Sequence, residues 1–160
     1  MSAEPRPASR VLLIDERDRL LLIRTRVPLT RDRTVWLTPG AGREPGETFR
    51  ECAERELFEE TGLREVPLSP CVWQRRHVFE WNAERVEARE RVYVARVCGT
   101  PDVREVVPND TEDMLEFRWW SIAELKQGQA TETFIPRAFV AHLTPILRGD
   151  LPAKPLQFGD

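Results

Sequence analysis

The chain has 160 residues, a length that fits one domain with a substantial core. Hydrophobic residues make up 41% and charged residues 32%, which excludes a disordered chain; a net charge of −3 gives no electrostatic case for a nucleic-acid or membrane-surface binder. All but Lys126 and Lys154 of the 24 basic residues are arginines, leaving many planar, bidentate groups suited to phosphate. The three cysteines, Cys52, Cys71 and Cys98, form no spacing motif, and their odd number points to a reducing compartment. The first residues hold no apolar stretch fit for a signal peptide, and no run is long enough to cross a bilayer, so the expected location is cytoplasmic.

In chain order, residues 1–9 read as a disordered Pro/Ala/Ser-rich lead, residues 10–150 as the domain, and residues 151–160 as an extended Pro-rich tail. "RVLLID" and "LLLIRTR" predict a hairpin joined by "ERDR", followed by a polar loop and a short buried strand "TVWL" that makes Trp36 a core residue. The loop "TPGAGREPGE" leads into a helix over 48–61. Phe49, Cys52, Ala53, Leu57 and Phe58 give it one apolar face; Thr48 with Glu51 forms a capping box, and Gly62 ends it. Residues 71–81 and 86–97 alternate as an antiparallel ribbon separated by "NAER". A turn-rich connection then leads to the strand "MLEFRWWSI", in which Trp119 and Trp120 point to opposite faces. "AEL" opens a short helical turn, and the last helix, carrying a structural His142, is kinked or restarted near Pro145. Strands alternating with helices argue for one α/β domain on a mixed sheet.

The acidic helix is poorly arranged for stability. Glu56, Glu59 and Glu60 stand at i, i+3 and i+4 on one face, where like charges repel. Glu59 and Glu60 also lie in the last turn, where the helix dipole is negative. Arg55 can pair with Glu59, but one arginine does not neutralise three carboxylates. A hard divalent ion would, since oxygen ligands and substrate phosphates are what Mg²⁺ takes.

Glu47 followed by Arg55, Glu56, Leu57, Glu59, Glu60, Gly62 and Leu63 resembles the Nudix hydrolase signature G-x5-E-x7-R-E-U-x-E-E-x-G-U, with U a bulky aliphatic residue. Ala41 stands at the first glycine of that pattern, the one departure; flanked by Gly40 and Gly42, it is expected to keep an ordinary β-region backbone. The resemblance implies a Nudix fold, a mixed β-sheet sandwiched between helices in a single domain. It also implies hydrolysis of a nucleoside diphosphate linked to another moiety with Mg²⁺ or Mn²⁺, so the partner is a small-molecule nucleotide or diphosphate. By position, Glu59, Glu60 and the Gly40 carbonyl are metal ligands, Glu56 is a metal ligand or general base, and Arg55 with Glu47 orients the carboxylates. A further carboxylate, Glu112 in preference to Glu116, would complete the metal site. The ribbon could mediate a homodimer, as in many relatives. The alternative is a catalytically silent Nudix domain that senses a nucleotide and regulates a partner, although such domains usually lose box glutamates that are all retained here.

Past the signature, the window 78–81 lacks the proline that resembles ADP-ribose pyrophosphatases and the tyrosine of diadenosine polyphosphate hydrolases. Trp73, Arg75, His77, Phe79 and Trp81 alternate onto one face of the ribbon. Arg75, His77, Phe79 and Trp81 are therefore candidate substrate-binding residues, against the plainer reading of core or dimer contact.

Overall fold

The computed structural model describes residues 5–27, 33–81, 83–103 and 114–158. Strand β1 (Arg6–Ile14) pairs with β2 (Leu20–Arg26) in the expected hairpin, with Ile14 opposite Leu20. Asp15 closes it: its buried carboxylate accepts the N–H groups of Arg17 and Arg19 and the Arg19 guanidinium. Then follow β3 (Thr34–Leu37), β4 (Gly40–Gly42), helix α1 (Phe49–Thr61), β5 (Trp73–Trp81), β6 (Glu84–Arg96) and β7 (Met114–Trp120). Helices α2 (Ile122–Gly128) and α3 (Phe139–Leu147) and strand β8 (Leu156–Phe158) complete the described chain.

One mixed sheet runs in the order β3-β2-β1-β6-β5-β8, with β4 added to β1 and β7 to β2. The β1–β6 and β5–β8 pairs are parallel and the other pairs antiparallel. Because β1 is covered on both faces, its run "VLLI" is buried throughout rather than alternating. Val11, Leu13, Ala53, Leu57 and Tyr93 form the core under α1; Leu12, Ile14, Trp36, Trp73, Phe139 and Leu143 form the core under α2 and α3. The sheet is thus sandwiched between helices, as the resemblance implied.

Four local expectations are corrected. Residues 6–9 are not a disordered lead: they open β1, because a parallel ladder from Arg6↔Ala88 to Ile14↔Arg96 takes up their backbone groups. The ribbon turn is shorter than "NAER", since Glu84 and Arg85 already pair with Trp81 and Glu80. The last helix, Phe139–Leu147, runs through Pro145 without the expected restart. Phe58 lies outside the apolar face of α1, exposed under the Arg64 guanidinium at 4.0 Å, while Glu56 and Thr61 are buried in its place. Within the tail, Leu156–Phe158 pairs with Trp73–Arg75 as a strand.

The ends of α1 form as read. The Thr48 side chain accepts the Glu51 N–H and the Glu51 carboxylate accepts the Thr48 N–H, both at 3.0 Å; Gly62 turns into the left-handed region at φ 77. Thr48→Ala is expected to cost about 1 kcal/mol of stability, measurable by urea unfolding. A loss near zero would show that the cap contributes nothing beyond the solvent it displaces.

Candidate active site

The last turn of α1 carries no basic residue. Arg55, one turn earlier, gathers the acidic side chains instead. Its Nε and Nη2 bind both oxygens of Glu47, at 2.7 and 3.0 Å, in a bidentate fork. Its Nη1 donates to Glu56 at 2.8 Å and to Glu59 at 3.1 Å, and Nη2 also reaches the Gly42 carbonyl at 3.2 Å. The Arg55 hydrogen bonds hold the Glu47 carboxyl at about 2, and those same bonds hold the arginine firmly charged. Burial pushes Glu56 above the usual carboxylate range despite Arg55.

Glu60 is the exception. Among the described residues its one hydrogen bond is accepted from the Gly40 N–H, at 2.9 Å, and no arginine reaches it. Burial pushes its carboxyl up to about 8. Gly40 itself has φ 144, and a Cβ there would lie 2.1 Å from the Ser9 carbonyl, so only glycine allows β4 to lie this close to β1. Among the described residues no three acidic, histidine or cysteine side chains converge as a cation cluster, since Arg55 draws Glu56 and Glu59 to itself. The donor chemistry nonetheless fits a hard divalent ion: three carboxylates share one helical face, and one of them, Glu60, is half-buried without a cationic hydrogen-bond partner.

Across the sheet from α1 lies a cavity of about 270 Å³ whose walls include Arg10, Thr38, Trp73, Phe79 and Phe139. A cleft of about 570 Å³ shares Leu37, Arg75, His77, Phe79 and Ile135 with it. His77 stacks on Phe79 with centroids 5.3 Å apart and planes at 23°. Trp73 is almost fully buried, and its indole N–H has no hydrogen-bond partner among the described residues. Buried Glu90 lies between two arginines: Arg75 Nη1 donates to it at 3.1 Å and Arg10 Nε at 3.4 Å. Burial raises the Glu90 carboxyl, but Arg10 and Arg75 outweigh it and hold the group below its ordinary range.

This loop–helix frame can be set beside known proteins. The chain matches the NUDIX domain family over residues 4–143. It belongs to the NUDIX family. Solved structures that share the fold include the MutT protein from Methanosarcina mazei, at 22% identity over 93% of this chain and 99% of that one, with a TM-score of 0.65. The dihydroneopterin triphosphate pyrophosphohydrolase of E. coli gives 14% identity, coverage of 91% and 99%, and a TM-score of 0.65. A C. elegans Ap4A hydrolase gives 15%, 90% and 98%, and 0.64.

Within this NUDIX domain, Glu47, Arg55, Glu56 and Glu59 are brought into one network, and Glu60 meets Gly40. The Gly40 carbonyl, expected to face a metal, accepts Arg10 Nη1 at 3.0 Å, which leaves one of its lone pairs. Glu112 lies outside the described residues, as does the Trp81 side chain. Glu116 pairs with Arg24 across β7 and β2, at 3.3 Å, as a strand-surface residue. Arg75, His77 and Phe79 do line the cavity, with Arg75 committed to Glu90. Neither Trp119 nor Trp120 is exposed: Trp120 is core, and Trp119 packs against the α1-side cluster. Arg10, Glu90 and Thr38 were not anticipated. The signal for two of them was present, since Arg10 and Glu90 interrupt the apolar registers Ala8-Leu12-Ile14 and Val86-Ala88-Val92-Val94. No helix among the described residues is long and apolar enough to cross a membrane.

Proposed function

We propose that this NUDIX domain is a pyrophosphohydrolase that uses a divalent metal ion, Mg²⁺ with Mn²⁺ as a substitute, to cleave a nucleoside diphosphate linked to another moiety. The observation that carries this reading is Glu60, a half-buried carboxyl that lacks a cationic hydrogen-bond partner at a helix end without a basic residue. Glu59, Glu60 and the remaining lone pair of the Gly40 carbonyl would hold the ion, with Glu56 as either a further ligand or the general base and Glu112 as the candidate from outside the described residues. When bound, such an ion neutralises phosphate charge and lowers the pKa of a coordinated water.

The protein's own groups supply the rest. Glu56, buried and held on one oxygen by Arg55, keeps its other oxygen for either role, and as the base it would take a proton from the attacking water. Arg55, locked by the Glu47 fork, keeps Glu56 and Glu59 on the same side of the helix. The cavity receives the group attached to the diphosphate: the His77–Phe79 pair offers a planar surface, and the Trp73 N–H offers a donor for an acceptor atom of that group. Arg75 serves as a wall of the cavity, held by Glu90.

The test is product release from a panel of nucleoside diphosphate derivatives, with Mg²⁺ and with Mn²⁺, using Glu60→Gln as control. Cleavage that needs the metal and is lost in the variant is the expected result. If no pyrophosphate bond in the panel is cut, or if Glu60→Gln keeps full activity, the reading fails.

A further inference from the structure

We infer that Arg10 is a positioning residue that fixes the Pro39–Gly40 peptide against Glu60 and thereby ties the aromatic cavity to the carboxylate cluster. Arg10 belongs to the register Ala8-Arg10-Leu12-Ile14, on the sheet face opposite α1. From there its Nη1 donates to the carbonyls of Thr38, at 2.9 Å, and Gly40, at 3.0 Å, which flank the Pro39–Gly40 peptide on either side. Both polar groups of that peptide are used: the Pro39 carbonyl accepts the Val11 N–H at 2.9 Å, and the Gly40 N–H donates to Glu60 at 2.9 Å. The direction of the N–H that holds Glu60 is therefore set by a β1 backbone bond and by two bonds from one guanidinium. Arg10 is itself held from behind, through Glu90, by Arg75 in the cavity wall. A lysine has one compact ammonium and does not reproduce a fork that reaches two carbonyls and a carboxylate at once.

The inference rests on the reading of Glu60 as a metal ligand, so its test uses readouts that need no turnover. In metal-free protein, deuterium exchange of the Gly40 amide, followed by NMR, should be about tenfold faster in Arg10→Met than in wild type. Mn²⁺ affinity, titrated by the electron paramagnetic resonance signal of the free ion, should fall about 10–100-fold. With substrate, kcat should fall about as much, while KM stays within about threefold of wild type. Arg10→Lys should behave like Arg10→Met, and it carries the test if the methionine variant does not fold. Glu90→Gln, which keeps an acceptor for Arg10 but loses the charge, should fall between. Wild-type exchange and Mn²⁺ affinity in both Arg10 variants would overturn the inference. A raised KM with unchanged kcat would also overturn it, by making Arg10 a substrate contact. Glu60→Gln in the same titration separates the two levels. If it binds Mn²⁺ as wild type does, the metal reading has failed and the positioning role falls with it. If it loses Mn²⁺ while the Arg10 variants do not, the positioning role alone has failed.

Discussion

Glu60→Gln is expected to lower turnover with Mg²⁺ at least about a thousandfold and, in the same protein stripped of metal, to raise the melting temperature near pH 8. The first effect follows from the loss of a metal ligand, the second from the setting of the carboxyl. Burial holds the folded Glu60 carboxyl at about 8, against an ordinary value of 4.5. Between those values the folded state keeps a proton that the unfolded state releases, so this group makes the metal-free protein less stable as pH rises from 4.5 to about 8. Below that window the group contributes no penalty, and above it the penalty is complete. Glutamine resembles the protonated acid and still accepts the Gly40 N–H, so its advantage should be absent at acid pH and full above the window. Glu56, also raised by burial, remains in the variant and leaves part of the slope. Melting curves in a chelator across the pH range, beside steady-state kinetics, measure both effects. Retained activity, or a variant that melts lower at every pH, would refute the assignment.

Gly40→Ala is expected to destabilise the protein by about 3 kcal/mol or more, the combined effect of overpacking and an unfavourable φ. The added Cβ would lie 2.1 Å from the Ser9 carbonyl oxygen and 2.7 Å from the Arg10 Cα, and both are backbone atoms of a central strand that cannot move aside singly. The φ of 144 is also unavailable to alanine at low cost. One position later the prediction reverses. Ala41 has no positive φ and lies within β4, opposite Ser9, so Ala41→Gly should shift stability by less than about 1 kcal/mol and activity by less than about twofold. Chemical unfolding of the two variants side by side tests the contrast. A severalfold gain in activity from Ala41→Gly would show that the alanine constrains the loop after all.

Much of this organisation is legible in the chain. The hairpin, the ribbon, α1 and both of its ends follow from period, turn residues and capping chemistry, and these signals are local. The carboxylate cluster is legible because its register is unfavourable for a lone helix. What sequence leaves unread depends on pairing between distant strands. Residues 6–9 look disordered until β6 supplies a parallel partner, and "TPGAGREPGE" reads as pure loop although Gly40–Gly42 is a strand. Glu90 looks like one more polar residue of an alternating ribbon. Its position in the apolar register has meaning only once Arg10 and Arg75 are known to flank it. Phe58 illustrates the reverse error: apolar character alone placed it in the core, while the geometry of α1 gives that room to Glu56 and Thr61.

The opposite placement of α1 and the cavity on one sheet has an evolutionary consequence. On the proposed reading, recognition and bond cleavage would draw on separate sets of side chains that meet at Thr38–Gly40. Val35, which also lines the cleft, and His77, Phe79 and Ile135 could therefore exchange for residues of other size or polarity without disturbing the Glu47–Arg55–Glu56 network. New specificities are most accessible by drift at those four positions, and a combinatorial library confined to them would search substrate space while the hydrolytic apparatus stays constant.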